Sequence, residues 1–323
     1  MTKIQQEMQE LADSGIDALL MATMILDDYE NTVFGSSQQS HHDTAIALLR
    51  VQQQTKGSRN LPIERAVRRS IIKTCILHGA GIPAFLKDGT VYEEDISMLE
   101  LDSLLVGAAC LREKSVNLPL DGNSENTSGH TKLTDLATEA EVLENALAAW
   151  PVVDRADWKF VRLPVSTSLE STQLFPLYGD SVHRYQSHGH ATIWNMHRAV
   201  RARVNSIRIQ CVSRLLLQGA LSHSASVSEQ LAVCRQTLDS SVRDLGESIP
   251  FFSQFSISTR KGFEELTTGR RLILSDSKIV PKMAALLAWA LAMLFRIDAV
   301  EGSQKQWLKL VLKTVADSLQ KLH

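Results

Sequence analysis

Apolar residues recur at helical spacing along almost the whole chain, and this limits the fold more than any single motif does. The pattern runs through 17–34, 44–54, 63–78, 95–115 and 134–150. It resumes through 190–221, 226–248, 282–297 and 303–322. Spacing of this kind puts one apolar stripe on each helix, and each stripe must be buried against another. Only 159–164 reads as a short strand. Gly79-Ala80-Gly81-Ile82-Pro83 and the Asn/Ser/Gly-rich stretch 118–130 punctuate the helices, and Pro151, Pro164 and Pro176 break the middle of the chain. No repeat of fixed period is visible. The expectation is one all-α domain over residues 1–323, with a surface loop at 118–130.

Composition narrows the class. A chain of 323 residues with 44% hydrophobic content can bury a sizeable core. Lys plus Arg is 34 and Asp plus Glu is 36, for a net charge of -2, which argues against a nucleic-acid-binding chain. Cys75, Cys110, Cys211 and Cys234 form no C-x-x-C pair, so no zinc cluster is expected, and a reducing compartment fits. The apolar stretch 283–295 is too short to span a bilayer. The N-terminus has no apolar stretch behind a basic start. A soluble, cytoplasmic protein is expected.

One polar motif interrupts an apolar helix. The run 19–26 leads into Asp27-Asp28-Tyr29-Glu30-Asn31. Asp27 and Asn31 stand one helical turn apart, and Asp27 and Glu30 are also helical neighbours. Oxygen ligands so placed suit Mg²⁺, often shared with substrate phosphates. The competing reading is a solvated helix end, which Gly35 would favour. Adjacent acids on a buried helix are costly unless they meet a cation or water. No G-x-S-x-G, Walker or dinucleotide fingerprint is present.

Several segments resemble, in order, the fungal-specific regulatory domain that follows Zn₂Cys₆ clusters. They are Ala191-Thr192-Ile193-Trp194-Asn195-Met196-His197-Arg198-Ala199-Val200-Arg201, the helix around Tyr29-Glu30, residues 41–49, Glu247-Ser248-Ile249-Pro250-Phe251, and the tryptophan helices around Trp289 and Trp307. Thr44 stands where that family usually has glycine, and Ala290 where it often has proline. The resemblance implies an all-helical regulatory-domain-like fold. The zinc cluster and its basic linker are missing, which removes the usual route to DNA.

With the acidic pair and Leu274-Ser275-Asp276-Ser277-Lys278, the chain more narrowly resembles the humulene synthases of fungal tropolone-sesquiterpenoid pathways. That resemblance implies a terpene cyclase of secondary metabolism, a lyase acting on farnesyl diphosphate with Mg²⁺. It casts Asp27, Asp28 and Asn31 as metal ligands, with Glu30 as a further one and Asn205 on a second ion. Lys278, Arg198 and Arg201 would hold the diphosphate, and Leu274 would influence alkene geometry. Trp194, Trp289, Phe251, Phe252 and Phe255 would line a dry cavity for the carbocation.

Blander readings stand beside these. Arg198 and Arg201 serve equally as salt bridges to neighbouring helices, and the aromatic residues as core. His183, His188 and His190 read as a polar loop, and His41-His42-Asp43 as a loop before a helix. Arg65, Arg68, Arg69 and Lys73 read as a solvated basic stripe. The alternative function is a regulator-like, partner-binding protein without its DNA-binding cluster.

Overall fold

A computed structural model describes residues 15–26, 39–54, 59–118, 127–150, 158–164, 178–221, 224–253 and 279–320. The described residues are mostly helical, with one small two-stranded hairpin. Its contacts divide it into two compact units, Met1–Ser124 and Glu125–His323. The division falls within the Asn/Ser/Gly-rich stretch. No helix among the described residues is long and apolar enough to cross a membrane.

The first unit contains α1 (15–26), α2 (Gln39–Gln54), α3 (Leu61–His78) and α4 (Ile96–Val116). Pro62 sits in the first turn of α3, where its missing N–H costs no helical bond. Gly79 ends α3 in the left-handed conformation at φ 80°, returning its N–H to the Cys75 carbonyl. A Cβ there would meet Val116 at 2.6 Å, so glycine also permits a close approach. α3 packs on α2 and α4, and its Val67, Ile71, Ile72 and Ile76 are fully or nearly fully buried.

Two expectations are corrected in this unit. His41 and His42 lie on α2 rather than in a loop, and His42 is buried. The basic stripe is not wholly solvated, because Arg68 is fully buried. Its Nη1 and Nη2 donate to Oδ1 and Oδ2 of Asp102 at 2.6 and 2.8 Å, and its Nε to the Leu86 carbonyl at 2.8 Å. Glu94, also buried, pairs with Arg69 and lies 3.5 Å from Arg68. The Arg68 guanidinium stands 5.2 Å from the centre of the Tyr92 ring. Burial pushes the Tyr92 hydroxyl up to about 12, against the opposing pull of Arg68.

The second unit contains α5 (Thr127–Ala149), β1 (Val161–Pro164), β2 (Ser181–Arg184), α6 (His188–Leu217), α7 (Ala225–Ser248), α8 (Pro281–Phe295) and α9 (Gly302–Leu319). α5 begins at Thr127, so the last part of the expected 118–130 loop is helical. α6 is the axis of this unit and contacts α5, α7 and α8. It is buried on nearly every side, including Ala199, Val200, Ala202, Val204 and Ile207. Ser187 caps its start by accepting from the His190 N–H. Ser224 caps α7 in the same way, accepting from Val227. Pro250 closes α7 into the short 3₁₀ turn Ile249–Phe252.

The expected strand at 159–164 is present as β1. Its partner β2 was not foreseen, and the pairing is antiparallel with Arg162 opposite His183. His183 is therefore on a strand and fully buried, not in a polar loop. His188 and His190 open α6.

Candidate functional site

Three elements of the second unit converge on one polar cluster. β2 and the residue after it supply His183 and Tyr185, which share a strand face because side chains alternate. α6 supplies Asn195 and Arg198, one turn apart. α7 supplies Asp244 and Glu247, also one turn apart, followed by Ser248.

Arg198 organises the cluster. Its Nη1 donates to the Tyr185 hydroxyl at 2.6 Å and to Asn195 Oδ1 at 2.9 Å. Ser248 Oγ donates to the same Asn195 oxygen at 2.9 Å. Nη2 of Arg198 lies 3.3 Å from Nδ1 of His183, and the Tyr185 hydroxyl is 3.2 Å from that nitrogen. Rings of Phe160, Trp194 and Tyr185 surround the guanidinium at 5.0, 5.4 and 5.8 Å. Such faces stabilise a cation that has been taken out of water. Arg162, half-exposed, donates to Asp244 Oδ1 at 2.7 Å, while Arg198 Nε stands 3.9 Å from Asp244 Oδ2.

The His183–Glu247 contact is of another kind. Nε2 and Oε2 are 3.0 Å apart, and both side chains are almost completely buried. The carboxylate oxygen lies off the direction a hydrogen bond needs. Neither atom has another hydrogen-bond partner among the described residues, and the same holds for Asn195 Nδ2. Buried polar atoms in this condition are rare and costly.

The electrostatics follow from burial. Desolvation, reinforced by Arg198 and Arg162, pulls the His183 imidazole down to about 2, so it is neutral. Desolvation raises Glu247, opposed by a hydrogen bond from Ser181. Tyr185 is raised by burial and partly restrained by Arg198. His197, one turn after Trp194 on α6, is pulled down to about 4 by burial, and its Nε2 lies 2.8 Å from the Leu147 carbonyl oxygen.

Gly179 makes this packing possible. Its φ is 106°, and a Cβ built there would stand 2.5 Å from Oε1 of Glu247. A cavity of about 460 Å³ opens beside the cluster. His183, Tyr185, Phe251, Phe252, Val280 and Met283 are among its walls.

Among the described residues, those expected from sequence are scattered relative to this arrangement. Asp27, Asp28, Glu30, Asn31, Phe255, Leu274 and Lys278 lie outside the described residues. Arg198 is central to the cluster. Arg201 is directed elsewhere, its Nε donating to Glu144 Oε1 on α5 at 3.0 Å. The two arginines therefore do not meet at one point. Asn205 is buried, with its Nδ2 donating to the Arg201 carbonyl at 2.9 Å. Trp194 is half-buried and donates its indole N–H to the Trp158 carbonyl at 2.9 Å. Trp289 is half-buried on α8. Phe251 and Phe252 both reach the cavity.

Sequence reasoning missed His183, Tyr185, Asp244 and Glu247. Two signals were available: the Asp-x-x-Glu spacing on a helix, and the alternation that puts His183 and Tyr185 on one face. No family model, no curated protein and no solved structure matches this chain.

Proposed function

We propose that the chain is a Mg²⁺-dependent cyclase that converts farnesyl diphosphate to humulene and releases diphosphate, in fungal sesquiterpenoid biosynthesis. The observation that carries this reading is the aromatic cavity. Phe251 and Phe252, two of the residues nominated for stabilising a carbocation, line it with Tyr185. Val280 lines it too, and follows the nominated Lys278 by two positions. A volume of about 460 Å³ lies within the range of small-molecule sites.

The chemistry asks for a dry apolar chamber and a cationic grip on the leaving group. Ring faces at the wall favour positive charge on the hydrocarbon and exclude water from it. Lys278 donates to the diphosphate as a point charge. Asp27, Asp28 and Asn31, with Glu30, would hold Mg²⁺, whose contribution is to neutralise the leaving diphosphate. Asn205, whose bond to the Arg201 carbonyl uses the side-chain nitrogen, would serve a second ion. Arg198 and Arg201 leave the phosphate set in this reading. Their contacts with Asp244 and Glu144 give them the task of fixing α6.

Incubating the purified chain with farnesyl diphosphate and Mg²⁺ is expected to give humulene by gas chromatography. Absence of any hydrocarbon would overturn the reading. Asp27→Ala and Lys278→Ala should each abolish turnover while the far-ultraviolet circular dichroism is retained.

One observation favours a second reading, a regulator-like partner-binding protein. Arg198 and Arg201 of the Trp194 helix both lie against acids of the protein itself. Thermal stabilisation by a diphosphate analogue, present only with Mg²⁺, separates the two, because only the enzyme binds that pair in its native state.

A further inference from the structure

We infer that His183, Asp244 and Glu247 form a divalent-cation site suited to Zn²⁺, built from residues other than those of the acidic motif at 27–31. One ligand atom from each residue lies within 4.8 Å of the other two. Zinc binds nitrogen and oxygen ligands at about 2.0–2.2 Å, which sets tetrahedral neighbours roughly 3.3 Å apart. His183 Nε2 and Glu247 Oε2, at 3.0 Å, already stand near that spacing. Asp244 brings a carboxylate oxygen within 4.8 Å of both. It is the most exposed of the three, at 23%, and it shares a helix face with Glu247.

Two further features point to a ligand here. Nε2 and Oε2 are both buried and both lack a directed hydrogen bond among the described residues. An ion between them satisfies both at once. Gly179 withholds a Cβ from the space the Glu247 carboxylate occupies. The rest of the arrangement suits a metal-bound histidine. Nε2 offers its lone pair in the tautomer that carries the proton on Nδ1. That tautomer aims its Nδ1–H at the Tyr185 hydroxyl oxygen, 3.2 Å away, and requires Nη2 of Arg198, a donor 3.3 Å from Nδ1, to draw back.

Imidazole among the ligands favours Zn²⁺ over Mg²⁺, which prefers an all-oxygen shell. Three protein ligands leave a fourth position for water or another molecule, the coordination of open zinc sites. His183 is also part of the cavity wall. Two cations oppose the ion, Arg162 on Asp244 Oδ1 and Arg198 near Asp244 Oδ2. Arg162 is half-exposed and can turn to solvent, so it competes with the metal for Asp244.

Calorimetric titration of the full chain with Zn²⁺ tests the site, with Mg²⁺ as the comparison ion. A single Zn²⁺ should bind, with Mg²⁺ much weaker. Asp244→Asn should weaken Zn²⁺ at least about ten-fold, and Arg162→Ala should tighten it. No Zn²⁺ binding by the wild-type chain, or binding unchanged in Asp244→Asn, would overturn the proposal. Should the variants fail to fold, the wild-type chain loaded with Co²⁺ decides. Intense visible bands of a four- or five-coordinate site support the proposal, and the weak spectrum of six-coordinate Co²⁺ sinks it.

Discussion

The first unit buries Arg68 and the second buries Arg198, and the two are treated in opposite ways. Arg68 in the first unit is met by a carboxylate in bidentate geometry and by a carbonyl, with a second carboxylate close by. Arg198 in the second unit is met by a phenol, an amide and an imidazole, and its one carboxylate stands at 3.9 Å. The first arrangement gives its buried cation full charge compensation. The second distributes its cation over neutral dipoles and ring faces, and leaves His183 Nε2, Glu247 Oε2 and Asn195 Nδ2 without partners among the described residues. A saturated polar cluster fixes a fold, whereas an unsaturated one keeps capacity for something else.

The comparison breaks most visibly at Arg68. Arg68→Ala strands Asp102 in the interior, while Glu94 keeps Arg69, and should cost about 3–5 kcal/mol in urea denaturation. A loss below about 1 kcal/mol would show that Asp102 finds another partner, and that the contrast between the units is false.

Acid probes the second unit. His197 titrates near 6.5 when unfolded and about 4 when folded. The unfolded chain therefore binds more protons between those values. The stabilisation is present above pH 6.5 and is lost as pH falls through 4, by about 3 kcal/mol at full separation. The midpoint temperature should fall from pH 7 to pH 4, and the slope should flatten in His197→Gln. An unchanged slope would assign the acid loss to other groups.

The smallest effect sharpens the contrast. Arg162 is half-exposed, so its bond to Asp244 carries little stability. Arg162→Ala should shift the unfolding free energy by no more than about 1 kcal/mol. A larger loss would mean that Arg162 compensates the second cluster as Asp102 compensates Arg68.

The helices were legible because burying a stripe leaves a period in the sequence. α6 and α7 carry that period plainly, and their observed starts lie within a few residues of the expected ones. Which charged residue goes inside was not legible. Arg65, Arg68 and Arg69 are alike in type, and what distinguishes Arg68 is distant in sequence: Asp102 across the α3–α4 contact and the Leu86 carbonyl. β2 was missed because a four-residue strand has too few alternations to stand out, and its pairing with β1 supplies what its sequence does not. The polar cluster joins β2, α6 and α7 across long stretches of chain, and no local pattern encodes such a meeting. What did transfer from sequence is partial: Arg198 for the cluster, Phe251 and Phe252 for the cavity.

Gly179 and Glu247 occupy what is in effect one side chain's worth of space, contributed by two distant positions. Substitutions at the pair are therefore not independent. A side chain gained at 179 displaces the carboxylate at 247, and a shorter residue at 247 relieves only the steric part of that conflict, because the positive φ at 179 remains. The fitness of any change at either position depends on the residue at the other, so this small contact is a point of epistasis in the second unit.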